Sequence, residues 1–177
     1  MPVIYGVSNE TVREILTTVR TIAVVGASPN PARPSNEVTG YLVVKGFETY
    51  PVNPFHAGGL IRGRLTYARL ADVPAPIDMV DVFRNSAAAG GPADEALNLD
   101  PLPAVIWMQL GVVNEEAAEW ARAKGVTVVM NCCPKIEFSR LFDRLRAVSG
   151  RGACERLTSR LVVVFCVPFM RYIVAVL

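Results

Sequence analysis

The stretch Thr21 to Ser35, TIAVVGASPNPARPS, places one glycine, two serines and an arginine directly after a short apolar run. Ile22 to Val25 is rich in β-branched residues and too short for a helix, so it reads as a buried parallel strand. A strand that empties into such a segment has the form of a phosphate-binding turn. Gly26 lets the backbone bend and approach a ligand, while Ser28, Arg33 and Ser35 supply donors for oxyanions. Pro34 presets φ for the start of a helix just ahead of Ser35.

Four more polar residues stand at the ends of apolar runs: Asn53 after FETYPV, Arg84 after IDMVDVF, Gln109 after AVIWM and Asn131 after VTVVM. In open parallel sheets ligands bind outside the carboxyl ends of the strands, so these residues and Ser28 are expected to share one site. The glycine pattern alone is weak, because GASPNP lacks the second and third glycines of a GxGxxG fingerprint. A dinucleotide reader also wants an acid after the second strand to hold ribose hydroxyls, and that position is Asn53. A neutral residue there tolerates a ribose phosphate, and Arg33 and Arg84 could bind several phosphates. The ligand implied is a phosphorylated nucleotide richer in negative charge than NAD.

Catalytic constellations do not emerge. His56, the only histidine, lies in a glycine-rich loop and reads as a surface residue. Asp78 and Asp81 are three apart on a strand, point to opposite faces and form no carboxylate pair. Cys132 and Cys133 are adjacent rather than spaced as CxxC, with no histidine near, so a zinc site is not expected.

These residues need elements to hold them. Ser8 or Asn9 caps a helix expected over Glu10 to Val19. A crossover helix over Asn36 to Lys45 ends at Gly46, and Phe47 to Val52 is the second strand. Phe55 to Arg64 reads as a loop, followed by a short strand or turn at Leu65 to Tyr67 and a brief helix at Ala68 to Val73. Ile77 to Phe83 is the third strand; Gly90, Gly91 and Pro92 then delay a helix to Ala93 to Leu99. Pro103 to Leu110 is the fourth strand, Glu115 to Lys124 a helix capped by Asn114, and Val126 to Met130 the fifth strand. This alternation predicts a doubly wound, Rossmann-like α/β fold, a five-stranded parallel sheet with helices on both faces.

The whole chain of 177 residues is 51% hydrophobic and 19% charged, a globular composition. A formal charge of +2 with scattered Lys and Arg leaves no nucleic-acid footprint. The four cysteines without a secretory signal predict a reducing cytoplasmic compartment.

Taken in order, VGASPNPARPS (25–35), YPVNP (50–54), DMVDVFR (78–84), IWMQLGVVNEEAAEWARAKG (106–125) and VVMNCCPKIE (128–137) resemble the small CoA-binding proteins. That family has a Rossmann-like domain akin to the CoA-binding domain of succinyl-CoA synthetase α-subunits. The resemblance implies that Gly26, Ala27, Ser28, Arg33, Pro34 and Ser35 surround the nucleotide phosphates. It sets Val52, Asn53 and Pro54 against the adenosine end, lines the crevice with Phe83, Arg84, Gln109, Leu110 and Gly111, and passes the pantetheine arm near Cys133 and Pro134. For Cys133 a buried or loop thiol is the preferred reading, and a mixed disulfide with the CoA thiol is the sharper alternative, testable as a mass increase that reductant removes. The chain departs from the family at Asn131 and Cys132, where Asp and Arg are usual, in the glycine-shortened helix after Arg84, and in the tail.

The resemblance divides the chain into a CoA-binding domain, 1–141, and an extension, 142–177. A helix is expected over Phe138 to Val148. Leu161 to Leu177, LVVVFCVPFMRYIVAVL, is shorter than a membrane span and broken by Pro168 and Arg171. Two strands separated near Pro168, or a segment buried in a homo-oligomer, are the readings preferred to an anchor, and a read-through in another frame is a further alternative. The function expected is non-catalytic binding of coenzyme A or an acyl-CoA. The alternative is an enzyme, either a small NAD(P)-dependent oxidoreductase or a CoA-ligase-like subunit completed by a partner enzyme subunit.

Overall fold

Each buried strand sorts its side chains by the two-residue period of extended backbone, and that period divides the core in two. The computed structural model describes residues 7–143. In β1 (Thr21–Val25), Ile22 and Val24 point to one face of the sheet and Ala23 and Val25 to the other. The chain then continues through α2 (Pro34–Val44), β2 (Glu48–Val52), a hairpin of β3 (Leu60–Ile61) and β4 (Arg64–Leu65), and β5 (Met79–Val82). It ends with α3 (Gly90–Ala96), β6 (Val105–Met108), α4 (Glu115–Ala123), β7 (Thr127–Val129) and α5 (Pro134–Phe138), and it begins with α1 (Asn9–Thr18). Ser8 caps α1, its Oγ accepting from the Thr11 amide at 3.1 Å.

The five long strands are parallel, in the order β2-β1-β5-β6-β7. One face, with Ile22, Val24, Met79 and Trp107, is covered by α1, α2 and the segment at α5. The other, with Ala23, Val25, Val80, Ile106 and Met108, is covered by α3 and α4, whose alanines allow close approach. The winding reverses between β1 and β5, so the chain leaves those neighbouring strands toward opposite faces and a crevice opens at their carboxyl ends. This is the expected Rossmann-like fold. No helix among the described residues is long and apolar enough to cross a membrane.

Four expectations need correction. The supposed loop Phe55 to Arg64 contains a 3-10 turn, Pro54–His56, and most of a hairpin in which Leu60 faces Leu65 and Ile61 faces Arg64. Its two-residue turn is Arg62-Gly63, both at positive φ, 51° and 76°; this suits the hand of a hairpin, but Arg is not the residue that advertises it. Arg62 is held there as its Nε donates to the Asn36 carbonyl at 3.2 Å, passing over Gly40 of α2. The helix expected at Ala68 to Val73 is a 3-10 turn, Leu70–Asp72.

The helix expected at Ala93 to Leu99 starts earlier, at Gly90, with Pro92 in its first turn, where a missing N–H costs no intrahelical bond. The helix expected at Phe138 to Val148 begins instead at Pro134 and runs as a wider π-type turn over Ser139–Asp143. Positions 144–148 of that expectation, the tail readings for Leu161 to Leu177, Cys154 and Cys166 lie outside the described residues.

Candidate functional site

Gly26 ends β1 at φ +84°, and its amide donates to the Val52 carbonyl at 2.9 Å, extending the β1–β2 ladder by one step. A Cβ at this position would lie 2.4 Å from the Phe83 carbonyl oxygen. Glycine therefore lets the turn lie directly on the end of β5. The turn is braced internally, with Ser28 Oγ accepting from the Asn30 amide at 3.2 Å and Asn30 Oδ1 accepting from the Ala32 amide at 3.0 Å. Two amides brace it from outside: Asn53 Nδ2 donates to the Ala27 carbonyl and Asn36 Nδ2 to the Ser28 carbonyl, each at 2.7 Å.

The crevice has a volume of about 810 Å³, within the range of small-molecule sites. Of the residues singled out from the sequence, Gly26, Ser28, Arg33, Pro34, Ser35, Asn53, Phe83, Arg84, Gln109, Leu110 and Cys133 line it. Ala27 and Val52 are buried, Pro134 is buried at the first position of α5, and Pro54 and Gly111 are exposed; none of these five is on the wall. Asn131 supports the wall, since its Oδ1 accepts from the Gly111 amide at 2.8 Å. His56 is exposed and borders a separate, smaller hollow.

Arg33 occupies the N-cap of α2 without making a capping bond with its side chain, so the guanidinium stands at the positive end of the helix. With Arg84 and Lys135 it opposes one acid on the wall, Glu37, which leaves the lining at three cations to one anion. Lys135 pairs with Glu37 and holds its carboxyl below the usual range. Among the described residues the two arginines are thus the uncompensated charges on the wall, Arg33 at the start of α2 and Arg84 just after β5.

Six wall residues were not anticipated: Glu37, Val38, Asn85, Val112, Lys135 and Ile136. Glu37 and Val38 lie in the first turns of α2, Lys135 and Ile136 in that of α5; each of these helices opens on a proline, the signal that could have marked them. Cys133 is 7% exposed at the N-cap of α5, and burial pushes its thiol up. Cys132 beside it is pushed up to about 12, again chiefly by burial, and its carbonyl accepts from Trp107 Nε1 at 2.9 Å.

Close enough for its charge to act on the Cys133 thiol lies Asp81, fully buried in β5, facing away from the side Asp78 serves. Gln109 Nε2 donates to its two carboxylate oxygens at 2.8 and 3.0 Å. Burial pushes Asp81 up to about 7, with the Gln109 bond acting in the opposite sense. Asp78, by contrast, lies at the start of the strand, accepting from the Arg20 and Thr21 amides at 2.7 and 2.9 Å.

The uncharacterized protein YneT of Bacillus subtilis (strain 168) is 40% identical over 129 residues, covering 73% of this chain and 93% of that protein. A hypothetical protein from Pyrococcus horikoshii OT3 is 37% identical, with a TM-score of 0.73 over 80% of this chain and 96% of that one. The Thermus thermophilus protein cell-free ID.343 is 34% identical, with a TM-score of 0.72 over 77% of this chain and all (100%) of that one. The CoA binding domain family matches residues 20–139, from the residue before β1 to the turn after α5. That span takes in every strand of the sheet and every residue on the crevice wall, and the chain belongs to the CoA-binding domain family.

Proposed function

We propose that this protein binds coenzyme A or an acyl-CoA in the crevice between the carboxyl ends of β1 and β5, as a binding module with no catalysis of its own. The observation that carries the reading is the pair of uncompensated guanidinium groups, Arg33 and Arg84, beside the Gly26 turn and the start of α2 in a CoA-binding domain. A helix N-terminus and two arginines suit a ligand with several phosphates. The binding-module reading is supported by the state of the wall's reactive groups. Glu37 is engaged by Lys135, and the Cys133 thiol is held protonated by burial.

Asn53 bears on the choice of nucleotide. Its amide nitrogen is engaged by the Ala27 carbonyl and its oxygen by the Phe55 amide at 3.0 Å, so it serves the turn and brings no carboxylate to a ribose. Calorimetric titration with CoA, dephospho-CoA, NAD and ATP tests the reading. CoA is expected to bind tightest, and tighter NAD binding would overturn it in favour of a dinucleotide site. Arg33→Ala and Arg84→Ala are each expected to weaken CoA binding by about 1.5 to 3 kcal/mol, the range for hydrogen bonds to charged groups. Unchanged affinity in both would move the phosphates elsewhere.

A further inference from the structure

A carboxylate in the middle of a central strand needs an explanation, because an isolated buried charge is costly and an apolar residue would fill the place at no such cost. Asp81 pairs in register with Val24 of β1 and Trp107 of β6, both fully buried. Its only side-chain hydrogen bonds among the described residues go to Gln109 Nε2. Gln109 is 6% exposed, and the part of it that reaches solvent lines the crevice. Its carbonyl oxygen Oε1 has no partner among the described residues, nor is it sealed from solvent. An ionised carboxylate accepts hydrogen bonds only, so it fixes which end of the amide turns inward.

We propose that Asp81 is a positioning residue: it grips the Gln109 amide by its nitrogen, so that the amide carbonyl is offered to the crevice and this end of the site selects a ligand that donates an N–H. The amides of a pantetheine arm are such donors, and the proposal rests on the CoA reading. Cys133, whose thiol feels the charge of Asp81, lines the same crevice as this acceptor. Protonation of Asp81 would reverse the polarity. Its O–H would donate to Oε1, and the amide would turn its nitrogen toward the ligand's own N–H.

The surroundings leave that proton transfer to Asp81 itself. Val24 and Trp107 carry no charge. Of the groups on the covering helices, Glu37 of α2 pairs with Lys135 of α5, and Glu137 of α5 pairs with Arg140. The Cys133 thiol is the group whose titration feels the charge of Asp81. Burial sets Asp81 at about 7, so the reversal falls between pH 6 and 8, a window where the thiol stays protonated.

The test titrates the full chain with CoA and with adenosine 3′-phosphate 5′-diphosphate, which has all three phosphates of CoA but no arm. At pH 8, Asp81→Leu is expected to weaken CoA about three- to tenfold, the worth of one neutral hydrogen bond, and to leave the armless nucleotide unchanged. Combined with Gln109→Met, it should weaken CoA no more than Gln109→Met does alone. In the wild type, CoA binding relative to the armless nucleotide should fall by a similar factor from pH 8 to pH 6. Asp81→Asn, which keeps the shape and serves if the leucine variant does not fold, should abolish that fall. Equal losses for both ligands, additive losses, or an unaltered pH profile in Asp81→Asn would overturn the proposal. CoA binding that is indifferent to Asp81 overturns it alone; failure of the wild type to bind CoA overturns the CoA reading as well.

Discussion

A methyl group on Gly26 would lie 2.4 Å from the Phe83 carbonyl oxygen, a rigid backbone atom, at a φ that L-residues rarely adopt. Relief requires β1 and β5 to part at the mouth of the crevice. Gly26→Ala is therefore expected to cost at least about 2 kcal/mol of stability in urea unfolding, the sum of strain and clash. An unchanged midpoint would mean that the turn relaxes elsewhere. The glycine at this position was legible because it ends a β-branched run. What was not legible is its partner, because Phe83 comes close only through strand pairing, which no local pattern records.

At the scale of elements, the turn after β1 is held by side chains from the end of β2 and the start of α2. Asn53→Ala removes the bond to the Ala27 carbonyl and the cap on the Phe55 amide. The expected loss is about 1 to 3 kcal/mol of stability, with CoA affinity falling as the Ser28 turn loosens. Calorimetric melting and titration of the same variant check both. Asn53 could be picked from the sequence as a neutral residue after β2, yet its work as a brace could not, since the turn it holds is 26 residues away along the chain. The strands were readable because buried parallel strands are apolar throughout. Helix starts were harder: propensity argues against Gly90, Gly91 and Pro92, whereas position in the first turn makes them acceptable. Asp81 sat in plain view within MVDV, but its alternation with valines looks the same whether the face is wet or, as here, closed by helices.

For the molecule as a whole, Asp81 couples folding to pH. An unfolded Asp ionises near pH 4, whereas folded Asp81 keeps its proton up to about 7. Between these values the folded state binds the extra proton, so stability falls as pH rises and levels off above about 7. The span corresponds to at most about 4 kcal/mol. Asp78 works in the opposite sense at lower pH: burial acts to raise it, but the Thr21 and Arg20 amides outweigh burial and hold it below its usual value. Asp81→Asn is expected to remove the decline between pH 4.5 and 7 in thermal melts, and parallel pH profiles for the two proteins would contradict the buried, titrating carboxylate.

The reversal of winding between β1 and β5 has a bearing on the life of the protein in a cell. Ile22 and Met79 meet across that joint although they are distant in the chain, so the two sides of the crevice come together only when β1 and β5 pair. A ligand that bridges the Gly26 turn and Arg84 acts as a clasp on the finished fold, adding RT ln(1 + [L]/Kd) to the cost of opening it. That is about 2.7 kcal/mol at a hundredfold excess over Kd. Steady-state abundance would then follow supply of the ligand, because proteases remove the unclasped chain faster than the clasped one.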